Sequence, residues 1–169
     1  MDRNKRTILE IIVILAMFLI LSMIAYFAGT GLAKTFLKAG GVTLGQWKDH
    51  YIALVRIMGV VACCITFVWY FSARFFLKIT YPVFVGKRTI WVIIGLLNLI
   101  SCVVVPFFYV RSDSILKIDV TIYLLFLVLF GILGYYASSI FATPACYKYT
   151  PIGAKSIRAA KYKKRSLKE

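Results

Sequence analysis

The chain alternates between long apolar runs and short polar segments. Four runs, over residues 7–29, 51–77, 89–110 and 119–142, carry few charged side chains. An α-helix rises about 1.5 Å per residue, so a run of roughly 22 residues crosses the ~30 Å hydrocarbon core of a bilayer. The pattern therefore predicts an all-α, polytopic membrane protein with four transmembrane helices and minimal extramembrane structure.

The overall composition agrees with this class. Of 169 residues, 62% are hydrophobic, and the mean hydropathy is +0.86, whereas a soluble domain is usually about 45–50% apolar. Residues 1–142 form the predicted transmembrane domain, and residues 143–169 form a basic tail. The first run is too long for the apolar region of a signal peptide, so it is interpreted as an uncleaved span.

The basic residues predict the orientation of the four spans. The segment before the first span, the segment from Arg74 to Arg88 and the tail together hold 15 Lys and Arg, and the opposite side holds six. Cytoplasmic segments of membrane proteins collect Lys and Arg. The expected topology has both termini in the cytoplasm (N-in/C-in), and the expected location is the plasma or inner membrane. This topology also accounts for the net charge of +15.

Residues able to support catalysis or metal binding are scarce. The chain has six acidic residues and one histidine, His50, without a nucleophile, phosphate-loop or metal-binding motif. We therefore expect no enzyme activity, no metal and no cofactor. His50 is interpreted as a solvated loop residue. Glu10, an acid in the first span, resembles the acid of proton-coupled small multidrug transporters, which lies in the middle of the membrane. Glu10 lies instead about one turn from the charged end of its span, where an ion pair with Arg6 explains it.

Every span carries small or polar residues at helical spacing. In lipid, such residues mark the places where helix backbones approach each other. Asn98 is the expected donor of a hydrogen bond between helices, because an unpaired amide is costly in hydrocarbon. The predicted helix-packing residues are Ala25, Gly29, Gly59, Cys63, Gly95, Asn98, Cys102, Gly131, Gly134 and Ser138.

The basic tail has three possible partners. Anionic headgroups at the cytoplasmic face are the favoured partner, since juxtamembrane Lys and Arg are attracted to them. An acidic cytoplasmic protein is the second possibility, and nucleic acid is unlikely. The candidate contact residues of the tail are Lys155, Arg158, Lys161, Lys163, Lys164 and Arg165.

By elimination, the sequence favours a non-enzymatic integral membrane subunit or interaction protein. Its context would be a larger membrane assembly, such as a secretion, conjugation or transport machine, with other membrane subunits or further copies of the chain as partners. Two alternatives stay open. One is a small oligomeric transporter or channel, and the other is a membrane effector, exclusion or immunity protein.

Overall fold

The fold is a bundle of four long helical stretches. The structure is a computed structural model that describes residues 3–37, 43–72, 84–113 and 116–142. Each stretch contains a segment that is long and apolar enough to cross a membrane. The elements are α1 (Arg3–Phe36), α2 (Leu44–Phe71), α3 (Phe84–Ser112), α4 (Val120–Phe126), a π-helical segment (Leu127–Gly134) and α5 (Tyr135–Ala142). The last three elements follow one another without a break and form the fourth span.

Consecutive spans run antiparallel. Near one end of α1, Gly29 lies against Tyr51 at the start of α2, and near the other end Glu10 is bonded to Tyr70 at the finish of α2. The name terminal end refers to the end of the bundle at which α1 begins and α5 finishes. The opposite end, where α1 and α3 finish and α2 and α4 begin, is called the loop end.

Local side-chain bonds determine where two helices begin. Thr43 accepts a hydrogen bond from the backbone N–H of Gln46, and the Gln46 side chain accepts one from the Thr43 backbone, which together form a capping box. Helix α2 consequently begins at Leu44, seven residues before the predicted start of the span at Tyr51. Asp119 caps α4 by accepting a bond from the N–H of Val120.

Other span boundaries also differ from those expected. Helix α1 continues past Gly29, the predicted end of the first apolar run, to Phe36, in agreement with the helical pattern of residues 32–37. Helix α3 passes through Pro106 and finishes at Ser112. Pro106 therefore does not end the helix. The predicted end of the second span at residue 77 and the whole tail, 143–169, lie outside the described residues.

The outward faces of the bundle are apolar. Large side chains such as Leu19, Phe27, Val60 and Phe108 are more than 60% exposed on the isolated chain. A water-soluble monomer rarely exposes apolar surface on this scale. Together with the four candidate spans, this surface indicates a multi-pass membrane protein.

Candidate functional site

The loop-end contact between α1 and α2 depends on a glycine. Gly29 is buried, and a Cβ at this position would overlap the ring and hydroxyl of Tyr51. The Tyr51 hydroxyl donates a hydrogen bond of 3.0 Å to the carbonyl oxygen of Ala25. The missing side chain of Gly29 therefore makes room for a buried tyrosine that joins the two helices.

Small residues also lie at the other contacts with α1. A Cβ on Gly59 would come within 2.5 Å of the Ser22 Oγ, and one on Gly134 would come within 2.8 Å of the Phe18 ring. Cys63 lies one turn after Gly59 and is also buried. Small residues of α2 and of the fourth span thus lie directly beneath side chains of α1.

The same relation holds between α3 and the fourth span. A Cβ on Gly95 would lie 2.9 Å from the Tyr135 ring, and one on Gly131 would lie 2.7 Å from Leu99 and 3.5 Å from Cys102. Gly95 is half-buried, and the other nine residues predicted for helix packing are buried. These ten residues are divided among several helix pairs and do not form one continuous seam.

Asn98 joins α3 to the π-helical segment. Its Nδ2 donates to the carbonyl oxygens of Phe130 at 3.0 Å and of Gly131 at 3.4 Å. Only the amide NH₂ can donate to carbonyls, so the side-chain orientation follows from these partners. The Asn98 Oδ1 is buried without a hydrogen-bond partner among the described residues. Asn98 thus reaches the backbone where the regular α-helical bonding of the fourth span is replaced by the wider π pattern.

Aromatic rings fill the loop-end half of the core. Trp47 stacks on Tyr51 with ring centroids 4.4 Å apart, Tyr51 stacks on Phe126 at 6.0 Å, and Phe126 contacts Phe130 at 5.9 Å. We call these four residues the aromatic stack. Each of their side chains is fully buried. The stack occupies the space between α1, α2 and the fourth span.

Two polar bonds hold α2 at the loop end. The Trp47 Nε1 donates to the carbonyl oxygen of Lys117 at 2.7 Å, and the Nδ1 of His50 lies 2.6 Å from the Oδ2 of Asp113. The sequence predicts a solvated loop position for His50. Instead, His50 lies on α2 and pairs with the end of α3, and Trp47, also on α2, is buried.

The terminal-end half of the core contains polar side chains. Glu10 is only 7% exposed, and its Oε2 accepts a hydrogen bond of 3.0 Å from the Tyr70 hydroxyl. Thr66 on α2 and Ser138 on α5 are fully buried in the same half of the bundle. The Ser138 Oγ has no hydrogen-bond partner among the described residues.

The predicted ion pair of Glu10 with Arg6 stays a prediction, and the burial of Glu10 against α2 is an additional finding. Its carboxylate is directed into the bundle and contacts α2. The side chain of Arg6, its predicted partner, lies outside the described residues. A buried carboxylate in an apolar span is unusual, because desolvation of the charge is costly.

Arg56 occupies the outward side of α2. It is exposed, and no hydrogen bond or ion pair involves it within the described residues. Exposed apolar residues surround it along the helix, including Ile57 and Val60. Desolvation of a charge costs more at Arg56 than at Glu10, because Arg56 would face lipid instead of the protein interior.

Residues for metal or cofactor binding are not brought together in the part of the chain that the structure describes. No group of three or more His, Cys, Asp or Glu there could hold a metal ion. Cys63, Cys64 and Cys102 are free thiols. The candidate tail contacts, from Lys155 to Arg165, lie outside the described residues, so their predicted roles stay predictions.

Comparisons with protein-family models, with curated proteins and with solved structures found no match to this chain.

Proposed function

We propose that this protein is a non-enzymatic integral membrane subunit of a larger assembly, with both termini in the cytoplasm of a plasma or inner membrane. The observation that carries the proposal is the aromatic stack. Trp47, Tyr51, Phe126 and Phe130 are fully buried and fill the loop-end half of the core. A solute path through a single chain would need polar side chains and space there.

Contacts with other proteins would use the outer surface of the bundle, because its interior is closely packed. Glycines lie beneath Tyr51, Phe18 and Tyr135, which supports close packing of the four spans within one chain. Such packing supports a role as a rigid membrane element that other spans contact. The basic tail would provide a cytoplasmic contact, to anionic headgroups or to an acidic protein.

Isolation in a mild detergent tests this proposal. A subunit should elute as a particle larger than one chain, with defined protein components in constant ratio. A control sample in a harsh detergent should release the single chain. A monodisperse single chain under mild conditions, with no other protein at a constant ratio, would contradict the proposal.

The tail can be tested in the same preparation. Removal of residues 153–169 should release a cytoplasmic component if the tail docks a protein. If the tail only contacts lipid, the composition of the particle stays the same and binding to anionic vesicles falls.

A small oligomeric transporter or channel is the second candidate, and one observation favours it. Glu10 is a buried carboxylate bonded to Tyr70, in the same half of the core as the Ser138 hydroxyl, which has no partner among the described residues. Buried acids inside spans often belong to ion or proton pathways. Flux in liposomes that Glu10→Gln abolishes without loss of folding would support this candidate. Absence of flux with the wild-type chain would remove it.

A further inference from the structure

The outward side of α2 has a defined composition. At spacings of three or four residues it presents Arg56, Val60, Cys64, Val68 and Phe71, all of which are exposed. We call these residues the α2 outer face. It contains one charged group among apolar and small side chains.

Arg56 lies deep in this face. It is seven residues from Asp49, which corresponds to about 10 Å along the helix, and fifteen residues from Phe71, or about 22 Å. With the hydrocarbon core about 30 Å thick, Arg56 falls inside it when α2 crosses the membrane. Its side chain can extend toward the loop end but covers only part of that distance.

The chain's own described acids are not available to neutralise Arg56. Glu10 accepts a bond from Tyr70, Asp113 lies against His50, and Asp119 caps α4. The fourth, Asp49, lies two turns away along α2. No acid among the described residues neutralises Arg56, and a counter-charge can come from another molecule.

Three external sources differ in how well they fit. Lipid phosphates lie outside the hydrocarbon core. To reach one, the Arg56 side chain would have to extend past the ~10 Å of helix that separates it from Asp49. A second copy of the chain, packed face to face in the same orientation, would bring another Arg56 to the same depth and add repulsion. A carboxylate on the membrane span of a different protein can lie at the required depth.

We infer that the α2 outer face is the docking site for a membrane helix of another subunit, and that this helix carries an Asp or Glu opposite Arg56. The inference rests on the proposed role as a subunit. Val60 and Cys64 are small enough for a partner helix to approach closely. The ion pair would determine the depth and rotation of that helix, because an unpaired partner charge would be left in hydrocarbon.

Site-specific photo-crosslinking in the native membrane tests this inference. A benzophenone amino acid replaces Val60 on the α2 outer face. In a matched control it replaces Leu97, which is 55% exposed on α3. We expect a discrete adduct with a second protein from position 60. Arg56→Leu should lower its yield at least about tenfold, and Arg56→Lys should largely retain it.

Charge reversal makes the test specific. The crosslinked peptide, identified by mass spectrometry, should contain an Asp or Glu within an apolar span. Arg56→Glu should abolish the adduct, and Arg56→Glu combined with Asp or Glu→Arg in the partner should restore it. Because Arg56 is exposed, each variant should keep the elution profile and thermal unfolding of the wild type in detergent.

The remaining outcomes each contradict the inference. An adduct with lipid only, an adduct with a second copy of this chain, or an adduct unaffected by Arg56→Leu overturns it. A protein adduct from position 97 alone overturns the α2 site but leaves the subunit role intact. If neither position gives a protein adduct, both the inference and the proposed function fail.

Discussion

The loop-end and terminal-end halves of the core differ in their buried polar side chains. At the loop end, aromatic rings stack continuously and their polar atoms are bonded, as in the pair of Trp47 and the Lys117 carbonyl. At the terminal end, Glu10, Thr66 and Ser138 are buried, and the Ser138 hydroxyl lacks a partner among the described residues. Both halves bury large aromatic side chains, including Trp69 and Tyr70 at the terminal end. The difference is that the terminal end also retains buried polar groups at an energetic cost.

The largest effect should come from truncating the aromatic stack. Trp47→Ala removes a fully buried ring and the donor to the Lys117 carbonyl, and it should lower the free energy of unfolding by about 3–5 kcal/mol. Unfolding in bicelles measures the change. The control Phe107→Ala truncates a ring that is 50% exposed and should cost less than about 1 kcal/mol. Equal losses would mean that the stack does not dominate stability.

A glycine pair on α1 tests how closely the helices pack at the loop end. Gly29→Ala places a methyl group against Tyr51 and disturbs its bond to Ala25, so it should destabilise the fold by about 1–3 kcal/mol. Gly31→Ala meets nothing within 4 Å and should stabilise α1 slightly, by up to about 1 kcal/mol. Thermal unfolding of the two variants compares them directly. The same sign for both would contradict the contact.

Replacement of Asn98 tests the middle of the bundle. Asn98→Leu removes the donor to the π-helical carbonyls and should cost about 1–2 kcal/mol. Amide hydrogen exchange should accelerate within the π-helical segment. Ser101→Ala removes only a bond within α3, so it should change stability by less than about 0.5 kcal/mol. Exchange that stays the same in Asn98→Leu would show that the amide does not support this segment.

The smallest effect should have the opposite sign. Ser138→Ala removes a buried hydroxyl without a partner among the described residues and should stabilise the fold by up to about 1 kcal/mol. Ser139→Ala removes a hydroxyl that donates to the Tyr136 carbonyl, so it should be neutral or destabilising. Equilibrium unfolding of both variants provides the comparison. A loss of stability in Ser138→Ala would indicate that the hydroxyl is bonded in the membrane, for example by water.

The number of spans could be read from the sequence because the apolar runs are long. The start of α2 was missed, although Thr43 and Gln46 have the spacing of a capping box. Four glycines between residues 31 and 45 favour a loop over this segment and hide the helical start. Helical spacing also places Trp47 and Tyr51 on one face, which was a further available signal.

The candidate site was harder to predict. Periodicity identified Asn98 as a donor, but its acceptors depend on the π pattern of Leu127–Gly134, which arises from packing and has no local sequence signature. Likewise, the charged surroundings of Glu10 suggested an interfacial ion pair. Its burial depends on where Tyr70 lies after α1 and α2 pack, sixty residues away in the chain.

The π-helical segment makes the position of a deletion in the fourth span matter. Deletion of one residue within Leu127–Gly134 would allow regular α-helical bonding throughout this stretch. A π-helix turns less per residue than an α-helix, so the lost residue and the tighter winding offset each other, and Tyr135 and Ser138 would stay near the faces they now occupy. Deletion of one residue within α4 would instead rotate α5 by about 100°. The π-helical segment is therefore where this span best tolerates the loss of a residue.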